Sequence, residues 1–128
     1  MKRTISSGIA AIVFSIGATA ALGQTAPATP TDTAKGKALA DDKGMTLYIY
    51  DRDAAGKSTC NGQCANLWPP MAAAGDAKAS GDWTIVTRDD GSKQWAYKGK
   101  PLYTWSKDAK AGDVTGDGVN NVWRIAVP

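Results

Sequence analysis

Cys60 and Cys64 in the stretch CNGQC, and Asp53 and Asp108 at the ends of LYIYDRD and PLYTWSKD, are the side chains with most chemical potential. The cysteines are the only two in the chain. In an exported protein an even count favours a disulfide. Asn61-Gly62 supplies the turn that brings the two Cα atoms within bridging range. Closing so short a loop is worth about 2 kcal/mol in the chain-entropy account. Such a bridge would fix the loop ahead of Trp68-Pro69-Pro70. Two sharper readings compete with it. A redox-active pair usually has the spacing CxxC within a thioredoxin-like pattern, and neither is present. A Cu(I) site built from both thiolates and Met71 would suit soft ligands.

Asp53 and Asp108 stand at the same distance behind matched aromatic residues. As turn or cap residues they would accept backbone N–H bonds where the chain leaves a strand. As a facing pair they would form a cation or catalytic site. Sequence gives no distance between them, so no catalytic residue is assigned. DVTGDGVNN, residues 113–121, is similar to an EF-hand loop, but Arg124 occupies the position of the bidentate Glu. It is read as a long glycine-containing turn, with an irregular cation site as the lesser reading; no metal ligand and no cofactor are assigned. Histidine is absent. That excludes Ser-His-Asp and Cys-His catalysis, histidine-bound zinc and CxxCH haem attachment.

The chain has five Trp and four Tyr, mostly expected as core because large rings supply area that a short chain otherwise lacks. Tyr48, Tyr103, Trp68 and Trp123 are read first as structural. Tyr50, Trp105, Trp83 and Trp95 are more open, and on a solvent face they would stack a sugar or quinone-like ligand. The candidate ligand-binding set is therefore Tyr50, Trp105, Asp53, Asp108 and Trp68.

The elements that position these residues follow from a repeat. A shift of 55 lays Lys43 on Lys98, Gly44 on Gly99, Leu47 on Leu102, Tyr48 on Tyr103, Tyr50 on Trp105 and Asp53 on Asp108. It also lays Asn66 on Asn121 and Trp68 on Trp123, and puts Thr115 and Val119 opposite the cysteines. The mature domain is thus two related halves. In LYIY and LYTW the aromatic residues recur at every second position, the period of a strand. ALADD, TIVTR, KQWAY and VWRIAV are further strands, and Asp90-Gly91 signals a hairpin. No segment carries a convincing helical period. About six or seven short strands imply an all-β fold, a small barrel or sandwich of two pseudo-symmetric repeats.

The N-terminus predicts export. Lys2 and Arg3 precede an apolar run over Gly8 to Leu22, and Ala21-Leu22-Gly23 presents small residues for cleavage after Gly23. Residues 24–36 are read as a flexible lead-in. Residues 37–128 form one β domain, with repeat 1 over 37–70, repeat 2 over 92–128, and 71–91 between them. Losing Lys2 and Arg3 takes the 15 basic residues to 13 against 12 acidic ones, and the signs are interspersed. Nucleic acid is therefore not an expected partner, and a membrane would be met only through an uncleaved leader. All the acidic residues are Asp, which suits turns better than helix interiors.

Tyr48-x-Tyr50-x-x-Asp53 and Tyr103-x-Trp105-x-x-Asp108, with STCNGQCANLWPP at 58–70 and RDDGSKQWAYKGKPLYTW, resemble a bacterial family. It is the "secreted repeat of unknown function", also described as predicted lipoproteins with a Yx(FWY)xxD motif. The resemblance spans about residues 37–128 and implies an exported two-repeat β module. No lipobox cysteine is present, so the membrane tether of many such proteins is not implied here. The leading expectation is an exported, non-enzymatic binding or interaction module for an exported protein or small ligand. A redox or copper-handling protein using Cys60 and Cys64 is the alternative, and an enzyme with Asp53 and Asp108 as paired carboxylates is the third.

Overall fold

The computed structural model describes residues 26–128, so the leader expected over residues 1–23 lies outside the described residues. Seven short strands dominate: β1 Thr29–Thr33, β2 Gly36–Ala40, β3 Tyr48–Tyr50, β4 Trp83–Thr87, β5 Lys93–Tyr97, β6 Lys100–Pro101 and β7 Trp123–Ile125. They form three small antiparallel sheets, β1-β2, β3-β7 and β4-β5-β6, and no closed barrel among the described residues. The fold is all-β in two repeats. The exceptions are a single helical turn, α1 (Gln63–Leu67), and a 3-10 turn at Val119–Asn121. α1 is too short to show a period in sequence; it starts inside the disulfide loop, where Cys64 N–H donates to Asn61 O, and ends beyond it, where Trp68 N–H donates to Cys64 O.

Each half opens with a hairpin. β1 and β2 pair from Thr29↔Ala40 to Thr33↔Gly36; β4 and β5 pair from Trp83↔Tyr97 to Thr87↔Lys93. β1 lies within the stretch expected as a flexible lead-in. Its sequence, TPTDT, carries Pro30 and no apolar alternation, which suits an edge strand whose outer N–H groups need no partner. The second hairpin follows its Asp-Gly signal: Arg88 and Ser92 close the turn, with Gly91 at φ 88°.

The halves meet at Tyr48 and Tyr103. Tyr48 N–H donates to Tyr103 O at 2.7 Å, and Tyr103 N–H donates to Tyr48 O at 3.0 Å. A pseudo-twofold therefore passes between them, and the last segment of each half crosses it. Ala126 donates to Leu47 O and accepts from Leu39 N–H, so the second half's end lies between two segments of the first. Met71 donates to Leu102 O and accepts from Trp95 N–H, which is the same arrangement reversed. β3 pairs with β7 from Tyr48↔Ile125 to Tyr50↔Trp123. The counterpart, Tyr103 against Pro70, is a lone bridge, because Pro69 and Pro70 bring no N–H to a ladder.

Two cores result. Tyr48, Cys60, Trp68, Tyr103, Trp105 and Trp123 form one; Ala28, Leu39, Leu47, Leu102 and Ala126 form the other, flanked by Ile49, Met71, Trp83, Trp95 and Tyr97. Residues 73–82, mostly exposed and without strand, join the halves.

Candidate functional site

The tyrosines and aspartates of the repeated motif pair across the pseudo-twofold. Tyr48 donates its hydroxyl to Asp108 Oδ2 at 2.6 Å, and Tyr103 donates to Asp53 Oδ2 at 2.6 Å. The second oxygen of each aspartate binds a threonine in its own loop. Thr59 N–H and Oγ1 both donate to Asp53 Oδ1, as Thr115 N–H and Oγ1 donate to Asp108 Oδ1. Each carboxylate thus uses three of its roughly four acceptor positions. The two share no partner. The turn-and-cap role read from the sequence is seen in these backbone bonds, with a tyrosine of the other half added to it.

Burial and hydrogen bonding keep both phenols protonated. Burial, followed by the bond to Asp53, pushes Tyr103 up to about 12. Burial, followed by the bond to Asp108, raises Tyr48 further still. Desolvation penalises a phenolate, and a neighbouring carboxylate adds like-charge repulsion.

The remaining motif rings stack in a column that obeys the same twofold. Trp68 and Trp123 lie 3.7 Å apart at 4°; Trp105 stacks on Trp68 at 3.9 Å, and Tyr50 on Trp123 at 4.3 Å. Tyr48 meets Trp68, and Tyr103 meets Trp123, edge to face. Trp68 and Trp105 are buried, whereas Tyr50 at one end is half-exposed.

The loop carrying Cys60 and Cys64 is closed by a disulfide, with 5.2 Å between the Cα atoms. Cys60 is buried against the aromatic core and Cys64 packs partly against it. The two threonines correct the sequence register here. Thr59 is the counterpart of Thr115, a shift of 56, and Gly62 matches Gly118, both at positive φ. Cys60 therefore falls on Gly116, not on Thr115. Gly116 leaves no room for a side chain: a Cβ there would stand 2.8 Å from Trp68 Cη2 and 2.9 Å from Trp105 Cγ.

Sequence reasoning missed Arg88, Ser58 and Gln94. Arg88 is buried, and its guanidinium donates to Ser58 Oγ, Gln94 Oε1, Cys60 O and Asn61 Oδ1. Ser58 in turn bonds the Tyr103 hydroxyl at 2.6 Å, and Gln94 Nε2 donates to Leu102 O. This network ties the β4–β5 turn to the disulfide loop. The available signal was Gln94 alternating with Ala96 on the inner face of β5, a polar residue where the period demands core. In the turn at 113–121, Asp113 accepts from Ala109 and Lys110 N–H, and Asp117 accepts from Ile125 N–H.

Two of the nominated residues reach an opening. Tyr50 and Asp53, with Ile49, Asp51, Lys98, Lys100 and Pro101, line a cleft of about 190 Å³. It abuts an apolar groove of about 160 Å³ that shares Ile49, Lys98 and Lys100. Of the others, Trp68, Trp105 and Cys60 lie in the core, and Asp108 is buried beside it.

Crossed tyrosine–aspartate pairs, a shared aromatic column and exchanged end segments define an all-β protein of two interlocked repeats. A family described as "Secreted repeat of unknown function" matches the chain twice, over residues 29–72 and 84–127, and the chain belongs to it. The description marks an exported protein, in keeping with the periplasmic or secreted placement expected from the leader. The matches begin at Thr29 and Thr84, on the first strand of each hairpin, ahead of the starts at 37 and 92 taken from the sequence. Comparisons with curated proteins and with solved structures gave no match.

Proposed function

We propose that this protein is an exported, non-enzymatic binding module that takes its ligand in the cleft beside Tyr50 and Asp53. One observation supports this reading above others: Tyr50 and Asp53 open on a concavity, while Trp68, Trp105 and Asp108 are committed to the frame. The half-buried Tyr50, stacked on Trp123, lines the cleft, and Lys98 and Lys100 add cationic donors. Both motif carboxylates are largely occupied by internal donors, which argues against their working as a catalytic acid and base. No observation favours redox or copper chemistry; the two sulfurs are bonded to one another.

An NMR screen of the mature chain against a diverse fragment library tests the reading. Expected hits shift the amides of residues 49–55 and 98–100 and disappear in Ala55→Trp, which fills the cleft. Hits that cluster elsewhere, or the absence of any hit, overturn it.

A further inference from the structure

Pocket residues beyond the cleft name a ligand class. The inference rests on the binding-module reading above. We propose that the groove continuous with the cleft holds a single-chain anionic amphiphile, its hydrocarbon tail on Ile49, Tyr97, Leu102, Ala126 and Val127 and its anionic head at Lys98 and Lys100.

The groove has an apolar floor that the fold does not cover. Leu102 and Ala126 are fully buried beneath it, Ile49 and Tyr97 are half-buried at its sides, and Val127 is 61 % exposed. Val127 is one of two large apolar side chains that stand in solvent among the described residues. Hydrocarbon laid along this surface would be withdrawn from water on one side and would cover Val127 on the other. Together with the adjoining cleft, the opening reaches the lower end of the ~300–1,000 Å³ typical of small-molecule sites.

Charge then selects the head group. Among the described residues neither Lys98 nor Lys100 forms an ion pair, which is equally true of Lys43, Lys78, Lys93 and Lys107; what distinguishes these two is that both stand at the same apolar groove. The Lys98 ammonium lies 5.2 Å from the Tyr97 ring centroid, held where it faces the groove's wall. Asp51 and Asp53 line the adjoining cleft with both lysines, but Asp51 pairs with Arg124 and Asp53 accepts from Thr59 and Tyr103, which leaves the two ammonium groups to favour an anion at one end of a hydrocarbon chain.

The pseudo-twofold supplies an internal comparison. The equivalent groove on the other half is lined by Thr104, Pro70, Met71, Trp95 and Lys43, together with Asp41 and Asp42. Ile49 there becomes Thr104 and Tyr97 becomes Asp42, Lys98 is kept as Lys43, Lys100 has no basic counterpart, and Trp95 supplies an aromatic side. One frame thus carries a groove with two lysines and no aspartate and a second in which two aspartates outnumber one lysine, and only the first suits an anionic head.

Titration of the mature chain with octanoate, decanoate, 1-decanol and butyrate, followed by calorimetry and amide shifts, tests this assignment. Decanoate should bind one-to-one and more tightly than octanoate, by up to about fourfold for each added methylene. Butyrate should not bind. The pair Lys98→Gln/Lys100→Gln should weaken decanoate by about tenfold, the order expected for lost charge-assisted contacts, and leave decanol unchanged. Asp42→Asn, on the counterpart groove, should change nothing. Lysophosphatidylglycerol runs beside decanoate, and the tighter of the two identifies a lipid or a free fatty acid as the source. The proposal is overturned if neither binds, if chain length has no effect, or if the lysine substitutions leave affinity intact in a protein whose near-ultraviolet dichroism is unchanged. Fragment hits at residues 49–55 without amphiphile binding would sink this inference and leave the binding-module reading standing; a failure of both screens would sink both.

Discussion

Tyr48 and Tyr103 each serve the frame at both ends. Their rings meet Trp68 and Trp123 edge to face, and their hydroxyls reach an aspartate of the opposite half. Removing the Tyr48 hydroxyl strands Asp108 Oδ2 and Gly116 N–H in a buried site, so Tyr48→Phe should cost about 2–3 kcal/mol in urea unfolding. Tyr103→Phe should cost less, because Ser58 keeps its bond from Arg88. The same bonds set an alkaline limit. A phenol raised to about 12 in the folded state holds its proton more tightly than the ordinary ~10 of the unfolded chain. Its contribution is therefore complete below pH 10 and fades as the pH climbs from 10 towards 12. Stability measured across that window should fall less steeply in Tyr103→Phe than in the parent. A parallel fall in both would remove Tyr103 as the cause. At this scale the sequence showed which residues matter, since Tyr and Asp recur in register. It could not show that each tyrosine meets the other half's aspartate, because that pairing is settled by chain crossing.

Among the elements, the disulfide loop is where the two halves differ most. The first half's loop is held by a disulfide with Cys60 buried and by the four-bonded Arg88 reaching over from the second; in the second half's loop, Gly116 lets Trp68 and Trp105 pack directly on the backbone. Gly116→Ala should accordingly destabilise by roughly 1–3 kcal/mol through overpacking, read as a lowered urea midpoint at unchanged slope. Gly75→Ala, with open space at its Cβ, is the control. An unchanged midpoint for Gly116→Ala would refute the close approach to the two indoles. The hairpin β4–β5 was legible from its Asp-Gly turn and alternating residues, and β7 from VWRIAV. β1 was not, since an edge strand with Pro30 needs neither alternation nor a full set of donors. LYTW resembled a strand as strongly as LYIY, yet only Tyr103 makes a bridge, because the segment facing it ends in two prolines.

At the scale of the molecule, neither repeat contains its own last strand's partner. β7 belongs to the second half and pairs with β3 of the first, while Met71 of the first sits between Leu102 and Trp95 of the second. The aromatic column alternates in the same way, Tyr50 on Trp123 and Trp105 on Trp68. A repeat expressed alone would expose half of that column and an unpaired edge. Residues 26–76 and 77–128 made separately should each lack the near-ultraviolet signal of packed tryptophan, and mixing them should restore it. A folded, monomeric half would show that the interlocking is dispensable. The duplication itself was plain in the sequence, as the 55-residue shift required no structure to see. The exchange of ends was hidden, because a repeat read along the chain gives no sign of which copy each strand joins.

Residues 73–82 take on a different character in this light. They contribute little packing, but they hold two mutually dependent partners at a fixed local abundance, in the millimolar range for a short flexible tether. Folding of this chain is in effect a binding reaction made unimolecular by that tether. A protease that nicks the exposed run would leave every contact in place and still change the law of stability. The uncut protein unfolds at a midpoint indifferent to its concentration, whereas the nicked one would come apart on dilution.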